Sequence, residues 1–187
     1  MARTVRLTGA TGYIGGRVLR SIEERGRIRQ DLVETFTYRS IVPGNAAAVF
    51  RWHEGPDALS ALLPAGGLIR IEERTGGVRD GDLVELSLGF GPLRFQWLSR
   101  HLGYVRDREF SDEQLRGPFR FWRHTHRVEP LGPALCLYED RIEYAVPGGP
   151  LVRRVTRPLL QALLGRSFAH RHRTVRRIFE VADANAC

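Results

Sequence analysis

An α+β domain, with a curved antiparallel sheet wrapped around one long C-terminal helix, is what this 187-residue chain predicts. Three observations carry that reading. Strand-length segments with alternating character follow one another from residue 67 to 147, separated by Gly, Pro and Asp turns. Two short helical segments stand before them, just after a first strand. From about 156 to 180, apolar residues then recur with helical period.

The chain opens on "VRLTGATGYIGGRVLRSIEERG", residues 5–26, which reads as strand, glycine turn and helix. Gly9, Gly12 and Gly15 stand at three-residue spacing, and Ile14, Val18, Leu19 and Ile22 follow at helical spacing. Glycines let backbone N–H groups approach a pyrophosphate at a helix N-terminus. The spacing in "TGATGYIGG" resembles the extended short-chain dehydrogenase and nucleotide-sugar epimerase families. The Tyr-x-x-x-Lys pair which that resemblance implies has no counterpart here, because all 29 basic residues are arginine. The second parallel strand and further βαβ units that a dinucleotide fold needs are not legible either. Residues 1–29 are therefore expected to be a remnant βα extension that binds no NAD(P), and no cofactor is expected.

From residue 31, "DLVETFTYRSIV" alternates and reads as a strand ending at Pro43. "GNAAAVFRWH" is a short helix with Asn45 as N-cap and Val49, Phe50 and His53 on one side. "GPDALSALLP" is a second, between Pro56 and Pro64. The strands "GLIRIEER", "GDLVELSL", "PLRFQWLSRH", "YVRDREFSDEQLRGPF", "RFWRHTHRVEP" and "ALCLYEDRIEYAVP" form a meander. In the closing helix, Leu159, Leu160, Leu163, Leu164, Phe168, Val175, Ile178 and Phe179 mark the apolar face, Thr156 is the expected N-cap, and Pro158 sits in the first turn. Only the sheet can cover that face, and a curved sheet around one helix leaves a cavity between them.

The order β-α-α-β…β-α is similar to the START-related (SRPBCC) superfamily of lipid-transfer domains, pathogenesis-related proteins and polyketide aromatase/cyclases. The resemblance runs over about residues 31–180. Its carriers are "YRSIVPGNAAAVFRWHEGPDALSALLP", "FSDEQLRGPFRFWRHTHRVEP" and "LYEDRIEYAVPGGPL". It implies a helix-grip fold over 30–181, leaving 182–187 as a disordered tail. It also implies an internal cavity for a small hydrophobic ligand that is lipid-, polyketide- or aromatic-like, with cyclase or dehydratase chemistry as the enzymatic version of that reading. "GPFRFWRHTH" with "EDRIEYAVPGGPL" resembles a bacterial subgroup whose domain can be fused to an epimerase-like domain. Association with such a domain is thus a further implication, and an NAD(P)-dependent epimerase-like protein is the alternative function.

Facing arguments select the candidate site. In "FWRHTHRV", Trp122, His124, His126 and Val128 share one face and the arginines the other, so both histidines point inward. In "CLYEDRIEYAV", Cys136, Tyr138, Asp140, Ile142, Tyr144 and Val146 share a face, which puts Asp140 among apolar residues in need of a partner. Counting outward from the turn at residue 133 brings His126 and Asp140 opposite each other. Asp112 and Gln114 share a face of "EFSDEQL", and Tyr38, Trp52, Trp97 and Phe168 complete the expected pocket wall. His126 and Asp140 are the catalytic candidates. They either orient a ligand oxygen and move protons, or satisfy each other and fix strand register. His-x-His could supply two metal ligands, but no third stands at convincing spacing, so no metal is expected.

The net charge of +8 and the basic "RSFAHRHRTVRR" raise nucleic acid as a partner. Against it, the arginines are scattered along the whole chain, and Phe168, Val175 and Ile178 make that segment an amphipathic helix with a solvated basic face. No stretch of 18 apolar residues occurs, no hydrophobic leader is legible, and two cysteines make no disulfide framework. A cytoplasmic location is the expectation.

Overall fold

The computed structural model describes residues 32–64 and 66–184. The glycine motif at 9–15 lies outside them. The first strand, β1 (Glu34–Pro43), leads into helix α1 (Ala46–Glu54) and the one-turn helix α2 (Ala58–Leu62). Six strands follow: β2 (Ile69–Thr75), β3 (Leu83–Phe90), β4 (Leu93–Val105), β5 (Glu109–Arg116), β6 (Phe121–Gly132) and β7 (Leu135–Ala145). Helix α3 (Pro150–Ala184) closes the chain.

The seven strands of the described residues form one antiparallel sheet in the order β1-β7-β6-β5-β4-β3-β2. Five of the six pairings join strands consecutive in sequence, as hairpin-length connections dictate. The sixth brings β1 alongside β7. Register shifts interrupt the β2–β3, β4–β5 and β6–β7 ladders, and such bulges bend strands and curve a sheet. Gly89, with φ of +126°, lets the β3–β4 hairpin close, since a Cβ there would stand 2.0 Å from the Leu93 carbonyl oxygen. This is the helix-grip architecture that the sequence predicts.

Asn45 caps α1 by accepting from the Ala47 and Ala48 amides at 3.0 and 3.4 Å. Val49, Phe50 and His53 are on the buried side of α1, and Val49 and Phe50 join Val42, Val128, Tyr138 and Val175 in the larger core cluster. A second cluster, Ile142, Tyr144 and Phe168, packs α3 against β7 with Phe36, Trp122, Leu160 and Leu164 at its edge.

Helix α3 departs from expectation at both ends. It begins at Pro150, not Thr156, so Pro158 lies inside it. The Thr156 hydroxyl donates back to the Val152 carbonyl at 2.8 Å and caps nothing. At the other end the helix runs to Ala184, into the stretch expected to be a tail. Its buried stripe is also narrower than the apolar pattern implies. Leu159 and Leu163 are 61% and 52% exposed, while Phe168, His172 and Val175 are buried.

Candidate functional site

Period two and the observed register assemble the site. On the face toward α3, residues His101, Asp112 and His124 stand side by side across β4, β5 and β6. One step along the strands, Phe110, His126 and Asp140 form a second row across β5, β6 and β7. The Phe110 ring stacks on that of His126, with centroids 4.4 Å apart.

Asp140 is fully buried and is the hub. Its Oδ1 lies 3.0 Å from His124 Nε2 and 2.7 Å from His126 Nδ1. Its Oδ2 lies 3.0 Å from His172 Nε2, on α3, and His172 Nδ1 is in turn 2.7 Å from Ser40 Oγ on β1. Three imidazole N–H groups thus converge on one carboxylate. That number of donors answers the desolvation of a buried charge.

The electrostatics follow from burial and from these contacts. Burial works against the Asp140 carboxylate, but His126 and His124 outweigh it and hold its pKa well below the usual range. His124 sits between two carboxylates, Asp140 and Asp112, its Nδ1 being 3.3 Å from Asp112 Oδ2. Burial lowers its pKa, the two carboxylates raise it, and the balance is upward. Burial, with His124 alongside, pushes His126 down to about 3, so it is neutral. Burial likewise pushes His53 down to about 4. The His53 Nδ1–H donates to the Val49 carbonyl at 2.8 Å, and its Nε2 accepts from the Tyr138 hydroxyl at 3.1 Å.

A cavity of about 320 Å³ lies between α2, α3 and the concave face of β2–β6. Leu62, Leu88, Val84, Phe110, Phe119 and Leu164 are among its apolar walls. His53, His101, Asp112, His124, His126 and Arg171 are polar groups that reach it. Among the described residues, His101 Nδ1 and Arg171 Nε are buried without a hydrogen-bond partner.

Of the residues expected in the wall, Trp97, Asp112, Trp122, His124, His126 and Phe168 line the cavity. Six others do not, each because another contact claims it. Asp140 is covered by the histidines that bind it, and Tyr138 lies behind them, its ring 4.4 Å from that of His172. Tyr38 packs edge-on to the same His172 ring at 4.6 Å. Gln114 clamps the loop before β6, donating to the Phe119 carbonyl at 2.8 Å and accepting from its amide at 3.3 Å. Tyr144 bonds Gln161 Nε2 at 3.1 Å and Glu34 at 3.3 Å. Trp52 packs against the larger core cluster and the edge of His53.

Sequence reasoning missed His53, His101, Arg171 and His172 as site residues. His172 was legible in principle, since Phe168, His172 and Val175 recur at helical spacing inside the basic run. His101 likewise alternates with Trp97 and Ser99.

Among curated proteins none matches this sequence. Solved structures do resemble the fold. A norcoclaurine synthase point mutant from Thalictrum flavum, in complex with a transition-state analogue, superposes with a TM-score of 0.63 at 16% identity, covering 81% of this chain and 96% of that one. The Zhui aromatase/cyclase from Streptomyces sp. R1128 gives 0.62 at 15%, covering 79% and 94%. A nucleoside-diphosphate sugar epimerase from Corynebacterium glutamicum gives 0.62 at 17%, covering 81% of this chain but only 30% of the epimerase. At such identities the likeness is one of fold. In sequence, the model of a family described as "Domain of unknown function (DUF8410)" matches residues 80–179, more than half of the chain, and the protein belongs to that family.

Proposed function

We propose that this protein binds a small, largely apolar ligand of aromatic or polyketide-like character in its internal cavity. The observation that carries the reading is the cavity's two-sided wall. Leu, Val, Phe and Trp side chains form most of it, and His124, His126, Asp112 and His101 gather on one part of the sheet. Ligand sites typically have that make-up, and about 320 Å³ falls at the small end of their usual range. An apolar body with one or two oxygen functions fits it. Arg171 Nε offers a further donor to an anionic or phenolic oxygen.

Cyclase or dehydratase chemistry is the enzymatic form of this reading. Neutral His126 presents a ring nitrogen that can accept a hydrogen bond, and His124, whose pKa the two carboxylates raise, is the better proton donor of the two. The fold shared with norcoclaurine synthase and the Zhui aromatase/cyclase supports it. Native mass spectrometry of freshly purified protein is the test. A co-purifying compound of a few hundred daltons is expected, together with a thermal shift on adding 1-naphthol or a polyphenol. A protein that is bare and unshifted by every such probe counts against the reading.

The likeness to part of a nucleoside-diphosphate sugar epimerase supports a second reading, in which this domain works beside an epimerase-like domain. Saturable binding of NADPH, measured by calorimetry and abolished by Gly12→Val, would favour it. No heat is expected from residues 1–29 alone, because one βα unit lacks the ribose contact and the nicotinamide crevice.

A further inference from the structure

We propose that His124, His126 and Asp112 bind one divalent transition-metal ion on the cavity wall, with Asp140 as the buried carboxylate that orients both imidazoles. The inference does not depend on what else occupies the cavity.

The tautomers make the first argument. Asp140 accepts from His124 Nε2–H and His126 Nδ1–H, at 3.0 and 2.7 Å. Once an ion displaces the proton between His124 Nδ1 and Asp112, the lone pairs stand on His124 Nδ1 and His126 Nε2, and both of these atoms face the same oxygen, Asp112 Oδ2, at 3.3 and 3.9 Å. Metal-binding histidines characteristically give their other N–H to a carboxylate in this way. Here one carboxylate serves two of them, and His172, itself bonded to Ser40, holds its second oxygen in place.

Distances make the second argument. The three candidate donor atoms all lie within 4.8 Å of one another. Ligands about 2.0–2.1 Å from a tetrahedral ion stand roughly 3.4 Å apart. The 3.3 Å pair already matches, and sub-ångström movement closes the 3.9 Å pair, which is too long for a hydrogen bond. The donor set is two imidazoles and one carboxylate, a combination that suits Zn²⁺, Fe²⁺ or Co²⁺ and leaves coordination positions open.

Those positions face the cavity, which all three residues line. On the same wall, His101, opposite Asp112 in register, is 8% exposed and carries an Nδ1 with no hydrogen-bond partner among the described residues. A water or ligand oxygen on the ion gives that nitrogen a neighbour to bond. The metal would then polarise an oxygen of whatever enters the pocket.

The test uses the full-length, tag-free protein, stripped with chelator and titrated with Co²⁺. One equivalent is expected to bind, with a visible d–d spectrum of four- or five-coordinate cobalt that Zn²⁺ abolishes. X-ray absorption of the Zn²⁺-loaded wild type should show two imidazoles and an oxygen. Asp112→Asn, with an unchanged melting transition in the stripped form, should weaken Co²⁺ binding at least tenfold. No saturable binding by the wild type overturns the proposal, as does absorption showing only oxygen ligands. Equal affinity in Asp112→Asn overturns it too. Should that variant fail to fold, the two wild-type measurements still decide.

Discussion

His126 Nδ1 lies 2.7 Å from Asp140 Oδ1, across a β6–β7 pairing in which the two residues are direct register partners. The carboxylate is fully buried, and His124 and His172 also bind it. Losing one donor therefore leaves two. His126→Ala is expected to destabilise the metal-free protein by about 1–3 kcal/mol, the cost of a buried group losing one partner. Asp140→Asn should cost more, because an amide cannot accept from three imidazole N–H groups at once. Urea unfolding of both variants checks the order. A milder effect of Asp140→Asn would mean that the hub does not hold α3 to the sheet.

How much of this was legible varies by element. The pairing of His126 with Asp140 follows from alternation and one turn position, because β6 and β7 are consecutive and each has an unambiguous arginine- or glutamate-bearing outer face. The partnership of His172 with Asp140 joins α3 to β7, and no local pattern sets how a helix docks on a sheet. Asp112 could be assigned an inward face but not a neighbour, because the bulges in the β4–β5 ladder fix which residues it meets. The start of α3 was misplaced because Pro158 reads as a first-turn residue, whereas nine exposed or half-buried residues of the first turns tolerate it in the interior.

His53 makes stability depend on pH. Its folded pKa is about 4, against about 6.5 when unfolded. Below pH 6.5 the unfolded chain takes up a proton that the folded one refuses, so stability falls as pH drops from about 6.5 toward 4. For this group alone the slope approaches 1.4 kcal/mol per pH unit. His53→Leu should flatten the profile in that window by up to one proton, measured by denaturant titrations of the metal-free protein between pH 4 and 7.5. An unchanged slope would show that His53 is protonated in the fold.

Cys136 is fully buried on β7, and burial pushes its thiol up to about 11. Its Sγ is 3.6 Å from the Val42 carbonyl, which it contacts as a weak donor. Thiolate is the reactive form, so both burial and pKa protect this residue. In a Cys187→Ser background, iodoacetamide at pH 8 is expected to leave native protein unlabelled and to label it rapidly in denaturant. Fast native labelling would show that β1 and β7 separate readily.

Cavity volume gives the most direct handle on binding. Val84 and Leu62 are buried residues on opposite walls, β3 and α2. Val84→Phe places a ring into the space. It should cost about 1–3 kcal/mol if the neighbours must shift, and less if the void accepts the ring. In either case it should abolish the thermal shift given by 1-naphthol. Leu62→Ala enlarges the cavity at a stability cost of about 2–5 kcal/mol, and it should bind larger probes than the wild type does. Ligand at a hundred times its Kd stabilises by about 2.7 kcal/mol, enough to separate the variants in a melting experiment run with and without probe. If Val84→Phe keeps the full 1-naphthol shift, the probe sits elsewhere, and the cavity between α2, α3 and the sheet is not the binding site.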